Sequence, residues 1–472
     1  MKRITVLLSL LVAGTALGQT YDHVVVTTDS FVPHIAPLCE WLETSAGMRD
    51  TIVLVEDVCV SFQGRDEQER LRNFIRYAYQ NWSTTHVLLG GDVEIVPCRR
   101  CFVDARVHHP LLYDSIPCDL YYADLDGDWD LDGDNLFGEP EDSCDLYPDL
   151  FVSRLPATTI GAVDLLVGKL LIYLGNPEAE YLDQVLLAGF DVEIGIHGEI
   201  TMQMYDSLYV HASMKPCNEE YESEPGRHIY DVIDYINDGQ HVWIHADHCN
   251  YFGMGMGYTK HGDVLYREQL YALTNNGEYS VMTSLGCCTG EFDTSDCASE
   301  VFMLAPNGGG IAVASNSRYG LGSGGNPQRG MSYALVEGFI KGTFSDPDTG
   351  SVGAGLLTAW ADAAPLADTS RPYRWCLFCW NLLGESAMPV WIPLLSGAEE
   401  RAGRRLSLAE LRVPTVLRGP ELARMDVRVL DIQGRDVTGR STALSPGVYY
   451  VLLPASRDGR AASPGRKVII AD

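Results

Sequence analysis

Eight nearly continuous apolar runs of strand length recur along the chain, a pattern that suits a sheet buried on both faces. They lie at 22–28 (DHVVVTT), 51–58 (TIVLVEDV), 86–92 (HVLLGGD), 150–157 (LFVSRLPA), 184–191 (QVLLAGFD), 241–248 (HVWIHADH), 279–287 (YSVMTSLGC) and 309–317 (GGIAVASNS). Helical periodicity separates them at 35–45, 67–82, 162–174, 266–273 and 333–340; in 67–82, Leu71, Phe74, Ile75, Tyr77 and Ala78 share one face. Strand–helix–strand alternation predicts an α/β fold, an open parallel sheet with helices on both faces. At 472 residues the chain exceeds one ordinary core. Two subdomains are expected in the sheet region, 19–165, which holds an acidic insertion after position 119, and 166–395.

Charge sets off a further module. The first 400 residues carry 21 Lys+Arg against 57 Asp+Glu, whereas 401–472 carry 13 against 7. VRVLDIQGRDV, LSPGVYYVLLP and RKVII read as short antiparallel strands, which predicts a small C-terminal β-sandwich over 396–472. A body so acidic repels phosphate backbones, so no nucleic-acid partner is expected. Residues 1–18 have a basic start at Lys2 and Arg3, an apolar run from Ile4 to Val12, then Ala16 and Gly18. That layout is a secretory signal peptide, too short for a membrane anchor, and no other run reaches the length of a membrane span. Export implies an oxidising compartment. There the C-x-x-C pairs Cys98/Cys101 and Cys376/Cys379 read better as disulfides or buried thiols than as zinc ligands, and thirteen cysteines leave at least one unpaired.

Two sites of chemistry stand out. In 124–139 (DLDGDWDLDGDNLFGE) carboxylates fall at every second position, with glycines to bend the chain. Asp128, Asp130, Asp132, Gly133 and Glu139 fit the calcium-loop pattern D-x-D-x-D-G-x5-E, with Asp134 offering a carbonyl and Asp124 and Asp126 extending the acidic run. The expected ion is a structural Ca2+, which offsets mutual repulsion and pins the insertion. The second site lies where two strands end, one with His245 and His248 and the next with Cys287 and Cys288. Sites in open α/β sheets form beyond the carboxyl ends of strands. A helix following Cys287 is expected to favour its thiolate, and an imidazole beside it to take the thiol proton.

The order of elements over roughly 21–395 resembles the gingipain family of caspase-like cysteine peptidases. The resemblance rests on HVLLGGDVEIVP (86–97), DLYYADLDGDWDLDGD (119–134), YPDLFVSRLPA (147–157), IHADHCNY (244–251), SLGCCTGEFD (284–293) and NLLGESAMPVW (381–391). It implies a caspase-like fold and endopeptidase action on protein or peptide substrates through a thioester, without a catalytic metal. The family's C-x-x-G-[DE]-F motif falls on Cys287 as nucleophile, its G-H-G motif on His248 as base, and its orienting acid on Asp191, with Glu193 as the near alternative. The backbone N–H of Cys249 takes the place of an oxyanion donor. Asp247 and Cys249 stand where the family has glycines, so the Cys249 side chain must find room at the turn or be tied up in a disulfide. Glu199 is the nearest candidate for a specificity acid. The C-terminal module resembles sorting domains of the type IX route, which implies the secretion machinery as a partner. An inactive calcium-binding surface protein of the same fold is the alternative.

Overall fold

A computed structural model describes residues 20–112, 114–192, 197–257, 263–294, 296–322, 330–344 and 350–393, together with four C-terminal strands as backbone. The expected signal peptide at 1–18 and Glu193 lie outside the described residues.

Ten strands form the central sheet: β1 His23–Thr27, β2 Asp50–Leu54, β3 His86–Leu89, β4 Phe151–Arg154, β5 Val185–Gly189, β6 Asn218–Tyr221, β7 Val242–Ala246, β8 Ser280–Ser284, β9 Gly310–Asn316 and β10 Trp380–Leu383. Their order is β2-β1-β3-β4-β10-β9-β8-β7-β5-β6. The eight runs read from sequence each hold one strand. Most of these strands are buried throughout, as continuous apolar runs demand.

The pairing is parallel except between β9 and β10. Since β10 is parallel to β4 but antiparallel to β9, the two halves run in opposite directions and their carboxyl ends lie on opposite edges. The sheet is mainly parallel, as expected, and the antiparallel β9–β10 pair refines that expectation. Chain reversal at β10 comes from helices Val352–Thr369 and Arg371–Cys379, neither of which the periodicity picked out. A further correction concerns 55–61: the apolar run TIVLVEDV breaks after Leu54, and Val55–Ser61 is helical with Glu56 and Asp57 in its first turn.

Local chemistry sets the helix ends. Helix Glu67–Trp82 starts at Asp66, whose side chain accepts the Glu69 N–H at 2.8 Å, and ends at Ser83 in the left-handed region. Helix Ile160–Leu174 starts in the same way at Thr159. Between the first strands and the final motif lies a buried ionic triad. His23 Nδ1 bonds the Asp50 carboxylate, and its Nε2 lies 3.3 Å from Glu385 Oε2. His23 and Glu385 are fully buried.

The contact pattern divides the chain into Met1–Leu411 and Arg412–Asp472. In the second unit, Thr415–Arg418, Gly447–Leu452, Arg466–Ala471 and Arg428–Leu430 form one four-stranded sheet. Thr415–Arg418 pairs parallel to the last strand, unlike the antiparallel pairs expected, and the second layer expected of a sandwich falls outside the described residues. Among the described residues no helix is long and apolar enough to cross a membrane.

Candidate active site

Adjacent parallel strands bring the two reactive segments together. β7 and β8 pair in register, with Ser284 opposite His245. Three residues beyond this pair the chains reach His248 on one strand and Cys287 on the next. Parallel neighbours are about 4.8 Å apart. Equal overshoot therefore delivers an imidazole and a thiol to the same rim.

The Cys287 segment is a tight turn. Cys288 has φ +54°, unusual for a non-glycine residue, and its N–H bonds Arg318 O at 2.8 Å. Arg318 also grips Asp293 through both carboxylate oxygens, at 2.7 and 2.8 Å, which anchors the acidic end of the GEFD stretch. Half-buried Cys287 directs its thiol toward Gly320 O at 3.7 Å, and burial raises its pKa above the usual thiol range. The helix expected to start at this turn does not: residues 287–290 form turns, and the next helix begins at Ala298. Helix-dipole help for the thiolate is therefore withdrawn.

His248 rides on a small hairpin, Cys249–Asn250 against Gly253–Gly255, with Gly255 N–H donating to His248 O at 2.7 Å. The exposed imidazole has Nε2 2.6 Å from Val192 O. A carbonyl only accepts, so Nε2 carries the proton and Nδ1 is the basic nitrogen. Asp247 holds the turn from below. Its Oδ1 accepts the His248 N–H at 2.6 Å and its Oδ2 the Gly257 N–H at 2.8 Å, while burial pushes its pKa up to about 6. A Cβ at Gly255 would meet His248 O at 2.5 Å, so glycine is needed there. A cavity of about 180 Å³ opens beside the imidazole, lined by Asp247, His248, Cys249, Gly255 and Asp263 among others.

Cys249 finds room without a disulfide; all thirteen cysteines are free thiols. Its sulfur lies 3.8 Å from Asp247 O and 3.9 Å from His245 Nδ1, over the bare Cα of Gly286. Burial pushes this thiol up to about 12, so it stays protonated. The missing side chain at Gly286 is what makes room for Cys249.

Asp191 is buried, and both its carboxylate oxygens lie 3.2 Å from His197 Nδ1, the residue capping helix Gly198–Tyr209. The imidazole of His248 meets the chain one residue later, at Val192 O. Glu199 sits in the first turn of that helix and accepts from Ser223. Sequence reasoning missed Ser284 and Gly286, and it named His245 and Asp247 without seeing what they hold; the one signal for all four was position, within three residues of Cys287 or His248.

In the acidic insertion, Asp130, Asp132 and Asp134 bring carboxylate oxygens within 4.8 Å of one another, and Arg65 also reaches Asp130. Asp124 is turned elsewhere, fully buried, accepting the Leu146 N–H at 3.0 Å beside Arg72. Asp126 and Asp128 are exposed, and Glu139 is half-buried with its pKa raised first by burial and then by Asp134.

A mainly parallel sheet with a cysteine turn and a histidine turn at the ends of neighbouring strands is the architecture of a family of cysteine peptidases. Residues 16–391 match the model of peptidase family C25, and the chain belongs to that family. Its fold resembles that of the Arg-specific cysteine proteinase gingipain R, at TM-score 0.58 and 14% identity over 97% of this chain and 100% of the other. It is similarly close to the complex of pro- and mature domains of RgpB from Porphyromonas gingivalis (TM-score 0.56, 13% identity, 96% and 100% covered). A structure described as a protease matches at TM-score 0.59 and 16% identity, with 95% and 97% covered. No curated protein matches the sequence.

Proposed function

We propose that the protein is a secreted cysteine endopeptidase in which Cys287 is the nucleophile and His248 the general base and acid. The observation that carries this reading is the Ser284–His245 register, which sets Cys287 and His248 three residues past one paired position. His248 Nδ1 takes the Cys287 proton, and the thiolate attacks the scissile carbonyl carbon. Collapse of the tetrahedral intermediate breaks the C–N bond, and the imidazolium gives its proton to the departing amine. Water, deprotonated by the same imidazole, then hydrolyses the thioester and restores the thiol. The Cys249 N–H is the candidate oxyanion donor. Asp191 acts at one remove, fixing the segment whose Val192 carbonyl orients the His248 ring.

In a reducing buffer with calcium the protein is expected to digest casein, and iodoacetamide is expected to stop digestion as it labels Cys287. Digestion undiminished after full labelling of Cys287 overturns the assignment. Absence of digestion by intact protein favours the non-catalytic alternative.

Calcium belongs to the same proposal. Three carboxylates within 4.8 Å on a loop of alternating Asp residues are hard oxygen donors suited to that ion. Asp130, Asp132 and Asp134 would hold it, and the bound ion would offset their repulsion. EDTA is expected to lower the melting temperature, with calcium restoring it; an unchanged melt contradicts the site. Export by residues 1–18, and sorting through 396–472, complete the proposal.

A further inference from the structure

The peptidase reading leaves unexplained two fully buried polar side chains beneath the site, His245 and Ser284. We propose that they are positioning residues that tie the Cys287 turn to the His248 hairpin through a run of hydrogen bonds relayed across the Gly255 backbone. This inference rests on the peptidase reading and adds what holds its two reactive groups in step.

The chain starts at the nucleophile turn. Gly286 N–H donates to Ser284 Oγ at 3.1 Å. Ser284 Oγ lies 2.9 Å from His245 Nδ1, and His245 Nε2 lies 2.8 Å from Gly255 O. Gly255 N–H closes the run on His248 O at 2.7 Å. Polarity runs one way throughout. Gly255 O only accepts, so Nε2 holds the proton and Nδ1 must accept; the Ser284 hydroxyl then donates to Nδ1 while its oxygen receives the Gly286 N–H. Burial lowers the His245 pKa to about 4, so the ring stays uncharged at neutral pH and Nδ1 remains an acceptor.

Such a chain fixes relative position. One end is the residue before Cys287, and the other is the carbonyl of His248 itself. A shift of about 1 Å between reacting groups can cost about 100-fold in rate. Cutting the chain should therefore lower kcat and leave KM alone.

The test compares wild type, Ser284→Ala, His245→Gln and the double variant in peptide hydrolysis, and follows iodoacetamide labelling of Cys287 at pH 7. Each single change is expected to lower kcat and the labelling rate about 10- to 100-fold, with KM within about twofold. The double variant is expected to be no slower than the worse single one, because both cut the same chain. Ser284→Ala removes one oxygen; should His245→Gln not fold, the kcat and KM split of Ser284→Ala decides alone. Wild-type kcat in Ser284→Ala, or losses that multiply in the double variant, overturns the inference. If intact protein hydrolyses nothing, the peptidase reading fails by itself, and the labelling rates still decide whether the chain positions Cys287.

Discussion

Gly286→Ala is expected to remove peptide hydrolysis almost entirely while leaving a folded protein. A Cβ at this position would lie 2.1 Å from Cys249 Sγ and 2.6 Å from Cys249 Cβ. Neither side can yield freely, since the sulfur is packed against Asp247 O and His245, and Gly286 N–H is bonded to Ser284 Oγ. Overpacking of this kind costs about 1–3 kcal/mol. The greater effect is on geometry: relief requires the turns bearing Cys287 and His248 to move apart, and misplacement near 1 Å costs about 100-fold. Removing the obstacle should reverse the loss, so Gly286→Ala combined with Cys249→Gly is expected to regain most of the activity. Casein hydrolysis by the two variants checks this. Full activity in Gly286→Ala, or no recovery in the double variant, counts against the packing described.

The second large effect concerns stability. His23 is held between Asp50 and Glu385 with no exposure to water, and these two carboxylates raise its pKa to about 10 against the burial that lowers it. His86 lies beside it with its own pKa lowered to about 3, and stacks on Phe151 as a neutral ring. His23→Leu leaves two buried carboxylates without their cation and is expected to cost about 3–5 kcal/mol. Replacing the whole triad, with Asp50→Asn and Glu385→Gln added, should recover most of that, because the penalty is the unpaired charge. The pH dependence has a definite sign. A group whose folded pKa is raised stabilises fully below its ordinary value of 6.5, and that contribution is lost as pH climbs toward 10. Urea unfolding at pH 6 and pH 9.5 should therefore show wild type losing stability over this window and the triple variant losing less. Parallel losses would place the alkaline sensitivity elsewhere.

How far the sequence carried the fold depended on whether the signal was local. Continuous apolar runs placed β1, β3, β4, β5, β7, β8 and β9 because burial on both faces leaves a mark in every residue of such a strand. The same criterion carried the second run past Leu54 into Val55–Ser61, since an apolar helix turn and a strand end look alike over four residues. The reversal at β10 was hidden: four residues, Trp380–Leu383, owe their direction to two preceding helices. At the site, strand ends pointed to Cys287 and His248, but a helix after Cys287 was assumed where turns occur. Glu385 in the NLLGES stretch gives no local sign that it answers His23 from the far end of the chain. Nor does the Asp repeat tell that Asp124 turns toward Arg72 while Asp130, Asp132 and Asp134 converge.

Ionisation of Cys287 is expected to depend on His248, because its own surroundings oppose it: burial raises the thiol above its ordinary value of 9.0, and no helix N-terminus offsets this. The most direct measurement is the pH dependence of Cys287 alkylation by iodoacetamide, read by peptide mass, in wild type and in His248→Ala. The account predicts that wild type reacts appreciably at neutral pH, while His248→Ala reacts only as pH rises past 9. Superimposable profiles would contradict it.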